Sequence, residues 1–308
     1  MGVITILVSI GIYLHKKCIV DGITSKKLSA IVVDICNPAM IMASILSGNL
    51  TATHKDLLTA VILGAAFYTT LVLLGLVIPR LLRAEPDKRK FYNLMTVYTN
   101  TGFLGIPVAR AILPANAILY VIVINIFYTL LFYTHGLTIL GNGSSEKAPS
   151  RSAWDRIKSM LNPGTIMSIL ALVVFWFNIS LPPILANTIE YIGNSTVFLS
   201  MTLLGVSIAR SNLAESLKDL RIWAYILLRM AAVPVAIFFL MRTLHFDAVS
   251  TLAICLMACV PVGNLPMIQA ERIGEDTKIL SSAIAVSTVV SIGTITIFMS
   301  LFSSAAGL

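Results

Sequence analysis

Residues 100–110 read NTGFLGIPVAR and residues 260–272 read VPVGNLPMIQAER. Each stretch lies in the middle of an apolar segment long enough to cross a bilayer, and each gathers glycine, proline and asparagine there. Proline removes a backbone donor and clashes with the preceding turn, while glycine lowers the cost of leaving helical geometry. A spanning helix with both at its centre is expected to break. Backbone freed in hydrocarbon is tolerated only inside the protein or against a wet cavity. Two such segments predict a polytopic membrane protein whose site lies where two broken helices cross.

The rest of the chain agrees with a membrane reading. Its 308 residues are 57% hydrophobic and 12% charged, with mean hydropathy +0.90, against about 45–50% and about 25% for soluble domains. Apolar segments recur to the C-terminus, which excludes a cleaved signal peptide ahead of a soluble chain. The formal charge of +8 does not point to nucleic acid, because the lysines and arginines sit in short gaps between apolar spans. Cys18, Cys36, Cys255 and Cys259 form no CxxC pair and have no accompanying histidine, so they read as packing residues. No phosphate loop, HExxH or Ser/His/Asp grouping is found, so neither an ATP-driven pump nor a membrane protease has support and no cofactor or metal is expected.

Ten spans are expected, at about 2–14, 28–48, 57–79, 91–113, 115–140, 161–179, 186–208, 222–241, 249–270 and 279–302. Roughly 20 residues cross the hydrocarbon core, and nine of the ten meet that length. The first, GVITILVSIGIYL, is short before Lys16 and Lys17, which implies local thinning, burial in the bundle or a start codon further upstream. The odd-numbered loops hold 18 of the 22 lysines and arginines, the even loops only Lys55 and Arg242. Positive loops face the cytoplasm, so both termini are expected outside. The polar stretch 141–160, GNGSSEKAPSRSAWDRIKSM, reads as a cytoplasmic linker between a first five-helix repeat, 1–140, and a second, 161–308. An odd number of spans per half inverts the second repeat. Internal similarity supports this: ICNPAMIMASILSG in span 2 matches IGNSTVFLSMTLLG in span 7, pairing Asn37 with Asn194, and Pro107 in span 4 pairs with Pro266 in span 9. The offsets, 157 and 159 residues, agree.

A helix broken at mid-membrane turns the N-terminus of its second half, with free amides and partial positive charge, toward the break. Two such ends favour an anion. Asn100, Thr101, Asn264 and Gln269 add neutral hydrogen-bonding groups at that level without a fixed buried charge. Asp34, Asn37, Asn194 and Arg229 are the other candidates, for coupling or gating. Asp34 precedes Asn37 and Pro38 in span 2 and either carries a coupling proton or cation, or pairs with Lys26 or Lys27. Arg229 lies ~12 Å into span 8, too deep to snorkel fully, and either pairs with helix C-terminal carbonyls or serves substrate or gating. Arg110 nears the outer end of span 4 and is expected to snorkel; His135 in span 5 is open to either reading.

Four stretches together carry a resemblance: NTGFLGIPV, LNPGTIMSIL, YIGNSTVFLSMTLLGVSIAR and PVGNLPMIQAERIGEDTKILSSAIAVST. They resemble the auxin efflux carrier family, in its bacterial branch, over nearly the whole chain. The resemblance implies an all-α membrane protein of ten helices in a 5+5 inverted repeat, with spans 4 and 9 broken and crossing. It also implies a moving transport domain set against a scaffold. Carried over by position, the crossover comprises Asn100, Thr101, Gly105, Ile106 and Pro107 with Gly263, Asn264 and Pro266. Plant members, the PIN carriers, export auxin, and bacterial members are associated with malate or malonate. The long central loop of the plant members is missing from this chain.

These readings converge on a carrier in the cell membrane, inner or plasma, that moves a small organic anion by alternating access, with H+ or Na+ as coupling ion, and no enzymatic activity. The runner-up readings are a sodium-coupled organic anion importer like the bile acid symporters and an anion channel. A homodimer, the substrate and the direction of transport are left open.

Overall fold

A computed structural model describes residues 2–46, 51–141, 154, 160–210 and 219–306. Most of the expected linker 141–160 lies outside the described residues. Twelve helical segments carry the argument: α1 Gly2–Lys16, α2 Gly22–Leu46, α3 His54–Leu81, α4 Arg89–Val97, α5 Thr101–Ile112, α6 Ala117–Gly141, α7 Pro163–Trp176, α8 Pro183–Arg210, α9 Leu220–Thr243, α10 Ala248–Cys259, α11 Leu265–Arg272 and α12 Lys278–Ala306. Among the described residues no strand is present; Thr99 and Val262 form an isolated antiparallel bridge.

Side-chain caps mark where several helices begin. Asp21 accepts the Thr24 amide, so α2 starts six residues ahead of the expected 28 and includes Lys26 and Lys27. Thr53 and Asp56 form a reciprocal capping box, and Asn162 and Asp247 cap α7 and α10. Among the described residues six helices have the length and apolar content to cross a membrane: α2, α3, α6, α8, α9 and α12. The expected spans 4 and 9 fall short of that because each is divided, α4/α5 and α10/α11, and α1 and α7 are short.

Three wide π-helical turns show what proline does inside these helices. The turns Val32–Cys36, Thr101–Gly105 and Leu228–Ala232 each end two residues before a proline: Pro38, Pro107 and Pro234. The residue preceding the proline donates five residues back, Asn37 to Val32, Ile106 to Thr101 and Val233 to Leu228. Widening the turn absorbs the ring's clash and its missing donor without ending the helix.

Packing divides the helices into two groups, each drawn from both halves of the chain. In one, α8 lies along α1 and α2, and α7 lies along α2. In the other, α3 packs on α4 and α6, and α10 packs on α6, α9 and α12. Lipid tails are as apolar as leucine, so helices associate through close packing rather than through the hydrophobic effect. The α1–α8 seam is the closest: a Cβ on Gly11 would overlap the Thr202 carbonyl, and one on Gly205 would overlap the Val8 carbonyl. Backbones touch there because neither residue has a side chain. Large apolar residues such as Ile62, Leu73, Ile297 and Leu301 remain exposed on the outer face, where a bilayer would cover them.

Candidate functional site

The two divided helices are tied to each other at their breaks. Helix α4 ends at Val97 and the chain leaves helical geometry through Tyr98–Asn100, where the Thr101 amide donates to the Thr99 carbonyl at 2.9 Å; α10 ends at Cys259 and the chain runs extended from Val260. The Asn100 amide donates to the Pro261 carbonyl at 2.8 Å, and the Gly263 amide donates to the Tyr98 carbonyl at 3.0 Å. This exchange satisfies backbone that would otherwise be orphaned in the protein interior. A Cβ on Gly263 would stand 2.9 Å from the Thr99 oxygen and 3.0 Å from the Tyr98 oxygen, so the bridge needs glycine at that position. The Val262 amide donates to Ser287 Oγ of α12 at 3.2 Å.

The breaks fall ahead of the prolines rather than at them. Pro266 follows its break closely, in the first turn of α11, where its missing amide costs nothing. Pro107 lies seven residues after Asn100, inside a continuous helix. Gly105, expected to ease unwinding, is helical, and its bare face admits the Met257 side chain of α10. Ile106 and Pro107 are buried beside it.

Other predicted residues divide between the junction and its surroundings. Asn100 and Thr101 are buried at the start of α5, and Thr101 Oγ1 lies 3.4 Å from Asn125 Oδ1 of α6. Asn264 is exposed at the start of α11, and Gln269 is buried one turn further on. Asn37 reaches the junction from α2, donating through Nδ2 to the Gly102 carbonyl at 2.8 Å. Asn194, its counterpart in the internal match, instead accepts from Arg110 Nη2 at 2.9 Å, which gives Arg110 a protein partner. Asp34 is exposed on its turn, and among the described residues no ion pair joins it to Lys26 or Lys27.

Arg229 is 1% exposed and stands among the largest fully buried side chains of the described residues. Its Nε donates to the Thr96 carbonyl at 2.9 Å and its Nη1 to the Ala258 carbonyl at 2.7 Å. Thr96 is in the last turn of α4 and Ala258 in the last turn of α10. One guanidinium thus holds the C-terminal ends of both first half-helices, the pairing with helix carbonyls that was one of the two sequence readings. Beneath the bridge, the Tyr98 hydroxyl donates to the Leu131 carbonyl at 3.0 Å and lies 2.8 Å from His135 Nδ1, which gives His135 a place in the support of the first break.

Sequence reading missed Tyr98, Asn125 and Ser287. Asn125 carried a signal, an amide within the otherwise apolar run AILYVIVINIF. Tyr98 acts mainly through its backbone and Ser287 through a register set by packing, neither of which sequence displays.

Beside α5, between the two packing groups, lies a small void of about 20 Å³, lined by Ile4, Leu104, Val108, Met201, Ser291 and Thr296. Thr296 also lines a wider cleft of about 650 Å³ at the far end of α5, with Leu113, Pro114 and Ser300.

Comparison with known proteins fits this arrangement. A family model described as "Membrane transport protein" matches residues 2–299. The chain is 23% identical over 301 residues to an uncharacterized transporter of Methanocaldococcus jannaschii, covering 94% of each chain. The chain therefore belongs to the membrane transport protein family, that of the auxin efflux carriers, and is a transporter rather than an enzyme.

Proposed function

We propose that the protein is a secondary carrier that moves a small organic anion, a mono- or dicarboxylate, across the cell membrane by alternating access. The observation that carries this reading is the bridged double break. Helices α5 and α11 both begin at the bridge, and among the described residues the amides of Gly102, Phe103, Asn264, Leu265 and Met267 have no acceptor. Free amides at helix N-termini are ready-made donors for an anion. Asn100, Thr101, Asn264 and Gln269 supply the neutral polar groups around them. Motion of one group against the other is the alternating-access step, with Asn37–Gly102 and Arg110–Asn194 among the contacts it must remake.

The finer architecture is part of this proposal: ten spans in two inverted five-helix repeats, with α4/α5 as the fourth, α10/α11 as the ninth, and both termini outside. Contacts between connecting segments support it. Lys90 pairs with Glu275 at 2.7 Å, joining the third and ninth loops, and Arg221 lies 3.7 Å from Glu85, joining the seventh and third. Thr51 pairs with Asn116 across two even loops, and His54 at the start of α3 stacks on Trp176 at the end of α7, beside the second and sixth loops. Odd loops thus meet odd and even meet even, as alternation across a membrane requires.

The test is uptake into liposomes holding the purified chain, with labelled monocarboxylates and dicarboxylates under an imposed proton gradient, sodium gradient or membrane potential. Saturable uptake that shows counterflow supports a carrier, and the gradient that drives it names the coupling ion. Flux that does not saturate would mean a channel, and no flux of any acid would overturn the anion reading.

A further inference from the structure

Four helix ends meet at the bridge. Helices α4 and α10 end at Val97 and Cys259, and α5 and α11 begin at Thr101 and Leu265, each within three residues of Thr99 or Val262. Each C-terminal end carries about half a negative unit charge and each N-terminal end about half a positive one. Left alone, the four would cancel.

Arg229 changes that sum. Its bonds to the Thr96 and Ala258 carbonyls place one full positive charge on the two negative ends. What stays uncompensated is the pair of positive ends at α5 and α11, about one unit in total. Among the described residues no ion pair involves Arg229. Its third nitrogen, Nη2, is buried without a partner, as is the hydroxyl of Thr99 in the bridge itself. Donor capacity and positive charge are therefore both in surplus around the junction.

We propose that the junction is built to take one net negative charge, so that the substrate is a monocarboxylate rather than a dicarboxylate or a neutral molecule. Arg229 sets that preference through the helix ends. This rests on the junction being the substrate site. A second carboxylate would enter a low-dielectric interior with nothing left to pair with it, and a neutral amide would leave the surplus charge unmet.

The experiment compares wild type, Arg229→Lys and Arg229→Gln in liposomes. The probes are labelled straight-chain and aromatic monocarboxylates, their primary amides, and dicarboxylates of equal chain length. Wild type is expected to favour the monocarboxylate over both others by about tenfold or more, equivalent to about 1.4 kcal/mol. Arg229→Gln is expected to lose the preference for acid over amide, and Arg229→Lys to keep it at a lower rate. A purely structural arginine would lower all fluxes together and leave the ratio unchanged, which would overturn the proposal. So would a wild-type preference for dicarboxylates, a result that needs no variant to fold. Those outcomes leave the carrier reading standing, whereas transport of no acid at all would remove both.

Discussion

The two breaks look alike in sequence and differ in how they are held. The first is gripped from several sides: Asn37 bonds the Gly102 carbonyl, Thr101 faces Asn125, and the Tyr98 hydroxyl is fixed by Leu131 and His135. The second has a shorter helix, Leu265–Arg272, an exposed Asn264 and, besides the Arg229 guanidinium that both breaks share, a tether at Val262 from Ser287. Each satisfies the other's backbone, yet among the described residues only the first is hydrogen-bonded to α2 in the opposite packing group. A repeated motif can thus yield one fixed half and one open half, because the sequence around each copy decides its neighbours.

The substitution that should do most to break this comparison is Gly263→Val. The new side chain meets backbone oxygens of residues 98 and 99 that cannot retreat without parting the bridge. Transport should be lost, with a cost of about 3 kcal/mol visible as a lower unfolding temperature in detergent. An unchanged melting curve would mean the bridge does not hold the junction together.

Next come Asn264→Ala and Pro266→Ala on the open half. Both should insert normally, and both should reduce saturable uptake, Asn264→Ala by about tenfold if its side chain meets the substrate. Full activity in both would remove the second break from the mechanism.

Asn37→Ala strips the Gly102 carbonyl of its side-chain donor in the gripped half and should cost about 1–3 kcal/mol. Because that bond joins the two packing groups, the maximal rate should change more than the affinity. Ser287→Ala should have the smallest effect, about 1 kcal/mol from the unpartnered Val262 amide. If Ser287→Ala proves costlier than Asn37→Ala, the assignment of gripped and open halves is reversed.

Much of this was legible before any coordinates. Hydropathy and charge are read residue by residue, so the membrane class, the positions of most spans and the broken character of 91–113 and 249–270 follow from order along the chain. Family membership is legible for the same reason. The place of each break was less so. Proline and glycine mark a region where a helix is weak, but a π turn absorbed Pro107 within its helix and the chain opened at Tyr98–Asn100 instead. Asp34 shows the same limit from another side. Its presence in an apolar span is visible in sequence, while the face it presents depends on a turn, Val32–Cys36, that shifts the helical phase.

The sequence by itself determined that two apolar spans would break and that a buried arginine would need partners. Local chemistry sets both: proline and glycine weaken a helix wherever they fall, and a guanidinium in hydrocarbon cannot stay unpaired. Only the tertiary structure decided which backbone groups meet. It joined Asn100 to Pro261 and Gly263 to Tyr98, and it set Arg229 on Thr96, 133 residues away, and on Ala258, 29 away. Such contacts depend on the packing of whole helices, and no stretch of chain contains enough of either partner to fix them.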